Sequence, residues 1–204
     1  SIPGGVTNIG SYAFYGCNGL TGIIIPDGVT SIGKYAFSKC SNLGCIAIPG
    51  SVTSIEDYTF SDCSSLKSVS LADSVKTIAK NAFEKCTALV TIALPDSVTN
   101  IGVYAFSGCT SLARITIPVG VTGIGNNAFY NCSGLASVSF AENSKPIAIG
   151  ADAFKGCTAL EKVLLGDIAA WCGTTFGNNN ANPVMLAGKL YDADGKPMTS
   201  LEIP

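Results

Sequence analysis

The 204-residue sequence contains no histidine, and only 13% of its residues are charged, against a globular norm of roughly 25%. The first absence removes the commonest general base and metal ligand, so a Ser/His/Asp arrangement is impossible. No Cys-x-x-Cys pair occurs either, which argues against zinc and against any metal site. A Gly-x-x-x-x-Gly-Lys-Ser/Thr phosphate loop is missing, and the close carboxylates, Glu56-Asp57 and Asp192/Asp194, sit in no recognisable cleft motif. No cofactor and no catalytic residue is therefore expected, and the chain reads as a non-enzyme. Twelve Lys and Arg against fourteen Asp and Glu give a net charge of −2, so no basic field exists to hold a nucleic acid. No apolar run approaches the roughly 18 residues of a membrane span. The opening Ser1-Ile2-Pro3-Gly4 carries no basic, apolar and small-residue leader pattern.

What is present is a repeat. Ala13-Phe14-Tyr15-Gly16-Cys17 recurs as Ala36-Phe37-Ser38-Lys39-Cys40 and Ala105-Phe106-Ser107-Gly108-Cys109, with further copies ending at Cys63, Cys86, Cys132 and Cys157. Successive cysteines of this set fall 23 residues apart, with a last interval of 25. Between them the chain reads Leu-x-x-Ile-x-Ile-Pro-x-x-Val-Thr-x-Ile-Gly-x-Tyr, as from Leu89 through Pro95 to Tyr104. Seven copies occupy 1–165.

A strict period of this length predicts a solenoid whose units touch only their neighbours. The expected class is an α/β, β-rich solenoid with a parallel sheet on one face and short turns, or 3₁₀ or helical turns, on the other. Val69 and Leu71 alternate inward as a short strand, and Leu66 enters from the turn. Proline (Pro26, Pro49, Pro95, Pro118) lacks an N–H and ends the strand. Val52 and Ile55 return inward on the opposite wall, and the glycine after the isoleucine is expected to permit a sharp corner. The Ala-Phe-x-x-Cys stretch should drop Phe and Cys into the core. This makes a ladder of Phe14, Cys17, Phe37, Cys40, Phe60, Cys63, Phe83, Cys86, Phe106, Cys109, Phe129, Cys132, Phe154 and Cys157. One coil alone cannot offset its ordering entropy, so stacking is obligatory.

These residues together resemble the BspA-type (Treponema-like) leucine-rich repeats of microbial surface proteins. The pattern covers about four-fifths of the chain, with Leu71-Ala72 and Phe140-Ala141 replacing Ile-Pro and two extra residues around Ser144-Lys145-Pro146. The resemblance implies a right-handed leucine-rich-repeat coil, an extracellular or cell-surface location and adhesion to other cells or to host matrix proteins such as fibronectin or fibrinogen.

From Gly166 the period fails, and 166–204 reads as an enlarged irregular coil. Asp167 can cap a short helix through Cys172, Gly177–Pro183 is a polar turn region, and Lys189-Leu190-Tyr191 with Lys196-Pro197-Met198 suggests a hairpin. Met198–Pro204 repeats the Leu-x-x-Ile-x-Ile-Pro strand and is expected to re-enter the solenoid. The sequence starts and stops in mid-repeat, which is expected of a fragment of a longer protein.

Three side-chain sets invite function. The in-phase cysteines read as buried thiols, whereas Cys45 and Cys172 fall outside the column and are the candidates for exposed or reactive ones. Tyr12, Tyr35, Tyr58 and Tyr104 share one repeat position, either as a ligand-binding aromatic column or as a self-stacking cover over the turn. The outward strand positions form the usual ligand surface of such coils. The candidate protein-binding face is Lys67, Ser68, Ser70, Thr91, Arg114, Thr116, Ser137, Ser139, Glu161 and Lys162. Flat, small-residue composition suits broad protein contact better than a small-molecule pocket. A passive stalk without a ligand, or self-association through uncapped ends, is the alternative.

Overall fold

The computed structural model describes residues 1–198. Each repeat makes one coil of backbone, and coils stack in parallel so that equivalent residues pair: Asn8 with Ser31, Cys45 with Ser68, Ser54 with Thr77. A coil has three walls. The first holds the longer strands, running from Cys45–Ala47, Ser68–Ser70 and Thr91–Ile92 to Arg114–Ile117, Ser137–Phe140, Lys162–Leu165 and Leu190–Asp192. Their inner residues are the alternate apolar positions, giving buried Ile46, Val69, Ile92, Ile115, Val138 and Val163. Val52 N–H then donates to the Pro49 carbonyl at 3.1 Å, and the same turn closes at Val75 onto Ala72. The turn thus forms even where the proline is absent.

The second wall is a ladder of two-residue strands, among them Ser31–Ile32, Ser54–Ile55, Thr77–Ile78 and Asn100–Ile101, each with its isoleucine buried. The corner glycine that follows is not in a left-handed conformation. A Cβ on Gly102 would stand 2.6 Å from the carbonyl carbon of Ala79, and one on Gly33 would stand 2.5 Å from the Ser11 nitrogen. Close approach to the previous coil is therefore its role at these two positions. Glu56 and Ala79 occupy the same repeat position, so the demand belongs to particular coils.

The third wall is made of consecutive turns. Ala36, Ser38 and Cys40 N–H groups bond back to Gly33, Tyr35 and Phe37, while the intervening Tyr35, Phe37 and Lys39 N–H groups bond across to Asp57, Thr59 and Ser61 of the next coil at 2.8–3.1 Å. This alternation requires two left-handed residues per coil. One column is Tyr12, Tyr35, Tyr58, Asn81, Tyr104, Asn127 and Asp152, with φ between 56° and 62°. The other includes Lys39, Asp62, Lys85 and Asn131, with glycine at Gly16, Gly108 and Gly156. Positive φ is what interrupts the stretch and keeps it from becoming a continuous 3₁₀ or helical turn.

Inside, the phenylalanines stack with centroids 5.1–5.5 Å apart, from Phe14 to Phe154. From Cys40 onward each cysteine of the column reaches past its own coil: Cys63 Sγ donates to the Phe37 carbonyl and Cys86 Sγ to the Phe60 carbonyl, both at 3.1 Å. Cys40, Cys109, Cys132 and Cys157 do the same at 3.0–3.2 Å. A small apolar side chain with a weak donor is what this position requires. Cys17 departs from the buried ladder, being exposed, and Phe14 is only half-buried; among the described residues the first coil is covered on one side, by the coil of Phe37 and Cys40.

The enlarged coil keeps two of the walls. Thr175–Phe176 pairs with Ala148–Ile149, and Leu190–Asp192 pairs with Val163–Leu165. Between Gly166 and Thr175 sits helix α1 (Ile168–Cys172), where Asp167 Oδ1 accepts from the Ala170 N–H at 2.9 Å. Trp171 packs at 4.9 Å from Phe140 and 5.2 Å from Phe176. The stretch read as a polar turn ends in a second helix, α2 (Pro183–Ala187), capped by Asn182 and stopped by left-handed Gly188. Tyr191 bridges Pro197 in antiparallel fashion, which makes the hairpin. The re-entry expected at Met198–Pro204 lies, apart from Met198, outside the described residues. Within them the strand that stacks is Leu190–Asp192.

Candidate protein-binding face

The outward positions of the long-strand wall fall into two rows, because the parallel register sets equivalent residues side by side. One row runs Cys45, Ser68, Thr91 and then Arg114, Ser137, Lys162. The second runs Ala47, Ser70 and then Thr116, Ser139, Leu164, Tyr191. Lys67 and Glu161 stand at the entry of their strands. Lys67, Ser68, Ser70, Thr91, Arg114, Thr116 and Glu161 are exposed; Ser137, Ser139 and Lys162 are half-buried by their neighbours. All ten residues therefore lie on one wall, but they do not converge on a single cleft.

Two shallow depressions mark this wall. One, of about 590 Å³, is lined by Gly22–Ile25, Cys45–Ala47 and Ser68–Ser70, and is largely apolar. The other, of about 490 Å³, is lined by Arg114, Thr116, Ser137, Ser139, Lys162 and Leu164 with Ala113 and Ala136. The Lys162 ammonium lies 4.8 Å from the Tyr191 ring centroid, a cation–π contact that holds it over the sheet. Tyr191 and the exposed Lys189 extend the two rows by one coil, since Leu190 pairs with Val163. Sequence reasoning missed them because the enlarged coil breaks the spacing. The signal was there, however: Lys189-Leu190-Tyr191 repeats the pattern of Lys162-Val163-Leu164.

The tyrosine column stacks on itself. Tyr12 and Tyr35 lie 4.8 Å apart and Tyr35 and Tyr58 lie 4.5 Å apart, nearly parallel. Both faces of the Tyr35 ring are thus covered, leaving edges outward, which is poor geometry for a flat sugar. Tyr104 stands apart because Asn81 intervenes. Ring stacking compensates a left-handed backbone that disfavours side chains with a Cβ. Replacing Tyr35 with alanine keeps the strained φ and removes two stacks, so a loss of about 1–3 kcal/mol is expected in urea unfolding. A change below about 0.5 kcal/mol would show that the column is ornamental.

The thiols divide as their positions demand. Burial pushes Cys63 and Cys157 up to about 12, and raises Cys86, Cys109 and Cys132 well above the ordinary range. Cys45, in the apolar depression, and Cys172, at the end of α1, are exposed. Among the described residues no cluster of three or more Cys, Asp or Glu could hold a metal ion, and no helix is long and apolar enough to cross a membrane.

The sequence model described as the BspA type leucine rich repeat region matches this chain in six copies, over residues 1–92 and 65–182. No curated protein matches. Among solved structures the chain is similar to a leucine rich cell surface protein from Faecalibacterium prausnitzii, at 30% identity and TM-score 0.63, covering 87% of this chain and 56% of that one. It is also similar to a leucine-rich repeat protein from Bacteroides ovatus, at 28% identity and TM-score 0.71, covering 96% and 55%. The leucine rich repeat protein of T. pallidum is 27% identical, with TM-score 0.56 and coverage of 88% and 73%. The chain thus spans little more than half the length of the first two. Stacked Phe and Cys columns, parallel short strands and a family match running from residue 1 to 182 lead to one assignment: the protein belongs to the BspA-type leucine-rich repeat family.

Proposed function

We propose that this chain is a non-catalytic protein-binding solenoid of a secreted or surface-attached microbial protein, and that it adheres to host matrix proteins or to other cells through the long-strand wall. The observation that supports this reading is the continuity of that wall. Its outward rows are shallow and run over successive coils, exposed from Cys45 to Thr116 and half-buried at Ser137, Ser139 and Lys162, and its cations Lys67 and Arg114 take no part in the ion pairs of the described residues. Those pairs, Lys34–Asp57, Lys85–Asp62 and Lys155–Asp152, all sit on the turn wall. A broad surface with few deep features gives modest affinity per coil, and repetition along a longer protein converts it into avidity. The similarity to a protein described as a leucine rich cell surface protein adds to the surface location.

The test is capture of fibronectin and fibrinogen by the immobilised chain, comparing it with the Lys67→Glu/Arg114→Glu/Lys162→Glu variant. Capture by the parent and a loss of roughly tenfold or more in the variant is expected, since reversing contact charges costs both attraction and new repulsion. Equal capture by both would remove the long-strand wall from the reading.

A further inference from the structure

The long-strand wall has opposite characters at its two ends. In the first coils it is apolar: Ile24 is 74% exposed, and with Cys45 and Ala47 it lines the larger depression. Val90, 50% exposed, continues the apolar surface at the entry of the Thr91–Ile92 strand. Solvating β-branched side chains on a surface otherwise built of Ser, Thr and Ala is unfavourable, and such patches mark contact sites. Farther along, the wall turns cationic. Arg114 and Lys162 flank Ser137 in one row, Lys189 follows, and Thr116 and Ser139 add hydroxyls beside them. Two carboxylates stand at this end of the wall: Glu161 at the entry of Lys162–Leu165, and Asp192 at the end of Leu190–Asp192, where it accepts from the Lys196 N–H. In a chain of net charge −2, this wall therefore carries a local charge of the opposite sign.

Resting on the reading of this wall as a protein-binding face, we infer that it is a bipartite strip for an extended acidic polypeptide segment of a partner. An apolar side chain of that segment seats between Ile24 and Ala47, and its carboxylates pair with Arg114 and Lys162. Three coils separate Ala47 from Arg114, about 14 Å at the spacing of parallel strands, which roughly four extended residues span. Arg114 offers a planar fork suited to a carboxylate. Lys162 is held in place by Tyr191 at 4.8 Å, so little freedom is lost on pairing. The hydroxyls of Ser137 and Thr116 supply further donors without adding charge. The strip has direction, with the apolar anchor toward the first coil and the acidic block toward the last.

The experiment uses the whole chain and a fluorescein-labelled peptide, Leu-Leu-Gly-Ser-Gly-Ser-Glu-Glu-Glu, read by anisotropy. Companion peptides carry Lys in place of Glu, or Gly and Ser in place of Leu. The Glu peptide is expected to bind, to weaken roughly tenfold or more with Arg114→Glu/Lys162→Glu, and to weaken again between about 50 mM and about 300 mM salt. Ile24→Ser, at an exposed site, should weaken the Leu-containing peptide and leave the Gly/Ser companion unchanged. Lys76→Glu, an exposed cation that follows the Ala72–Val75 turn, should leave binding as it is, and circular dichroism confirms that each variant is folded. The inference is overturned if the Lys peptide binds as well as the Glu peptide, or if charge reversal changes nothing. Failure of every peptide, alongside matrix-protein capture that depends on the wall, would sink the acidic partner while leaving the protein-binding reading standing. Binding of the Glu peptide without matrix-protein capture would do the reverse.

Discussion

Between about pH 9 and pH 10.5 the folded chain is expected to collapse into the unfolded state, with stability falling far more steeply than an ordinary surface titration allows. In the unfolded chain a cysteine ionises near pH 8.5. In the folded coil, burial holds Cys63 and Cys157 protonated up to about 12, and Cys86, Cys109 and Cys132 beyond the ordinary range; Cys40 moves the same way. The folded state therefore binds more protons than the unfolded state above pH 8.5. Its stability is fully present below that value and is lost as the pH rises toward the folded values. Each such thiol contributes about 1.4 kcal/mol per pH unit, and the five deepest together roughly 7 kcal/mol per unit, comparable with the 5–15 kcal/mol that holds a whole domain. Far-ultraviolet circular dichroism, followed against pH in a non-thiol reductant, checks this. The Cys86→Ala/Cys109→Ala variant separates thiols from lysines and tyrosines that titrate nearby. Its stability at neutral pH is lower, but its loss per pH unit above pH 8.5 should be about two-fifths smaller. Identical slopes would mean that the thiols do not carry the alkaline transition.

The same column shows how far a repeat can be read without coordinates. Phase alone places Phe37, Phe60 and Cys63 inside, since a residue recurring at one position among apolar neighbours has nowhere else to go. It says nothing about why cysteine is used there, which depends on the distance from Sγ to a phenylalanine carbonyl in the neighbouring coil. Nor does it disclose that Tyr35 and Lys39 are left-handed, although Asn81, Asn127, Gly108 and Gly156 at the equivalent positions are the residues that tolerate such a backbone. Helix α2 carried a readable signature in Asn182, Pro183 and Gly188: a cap, a first-turn proline and a left-handed stop. Polar composition around it outweighed that signal. The outward rows were legible up to Lys162 because the period held, and Tyr191 was lost where it did not. For the wall as a binding surface, composition identified the cations, but only the register sets Arg114 and Lys162 on either side of one serine.

Replacing Phe106 with alanine is expected to cost about 3–5 kcal/mol, near the upper end for one side chain in a core. Phe106 is fully buried and has Phe83 and Phe129 stacked on its two sides, each with ring centroids 5.3 Å away. Its loss removes the ring's transfer free energy, both stacks and the packing of two neighbours that cannot move inward without breaking the backbone ladder. Among the described residues Phe14 stacks with one partner, Phe37, and is half-buried, so Phe14→Ala in this 204-residue chain should cost only about 1–2 kcal/mol. The difference between two chemically identical substitutions measures the coupling between coils. In a solenoid that coupling, more than the stability of any one coil, makes unfolding cooperative. Phe106→Ala should accordingly broaden the urea transition, because the coils on either side of the defect begin to unfold as separate blocks. Phe14→Ala should shift the transition while leaving its steepness intact. Equal losses from the two substitutions would mean that stacking between coils contributes little, and that each coil is held chiefly by contacts within itself.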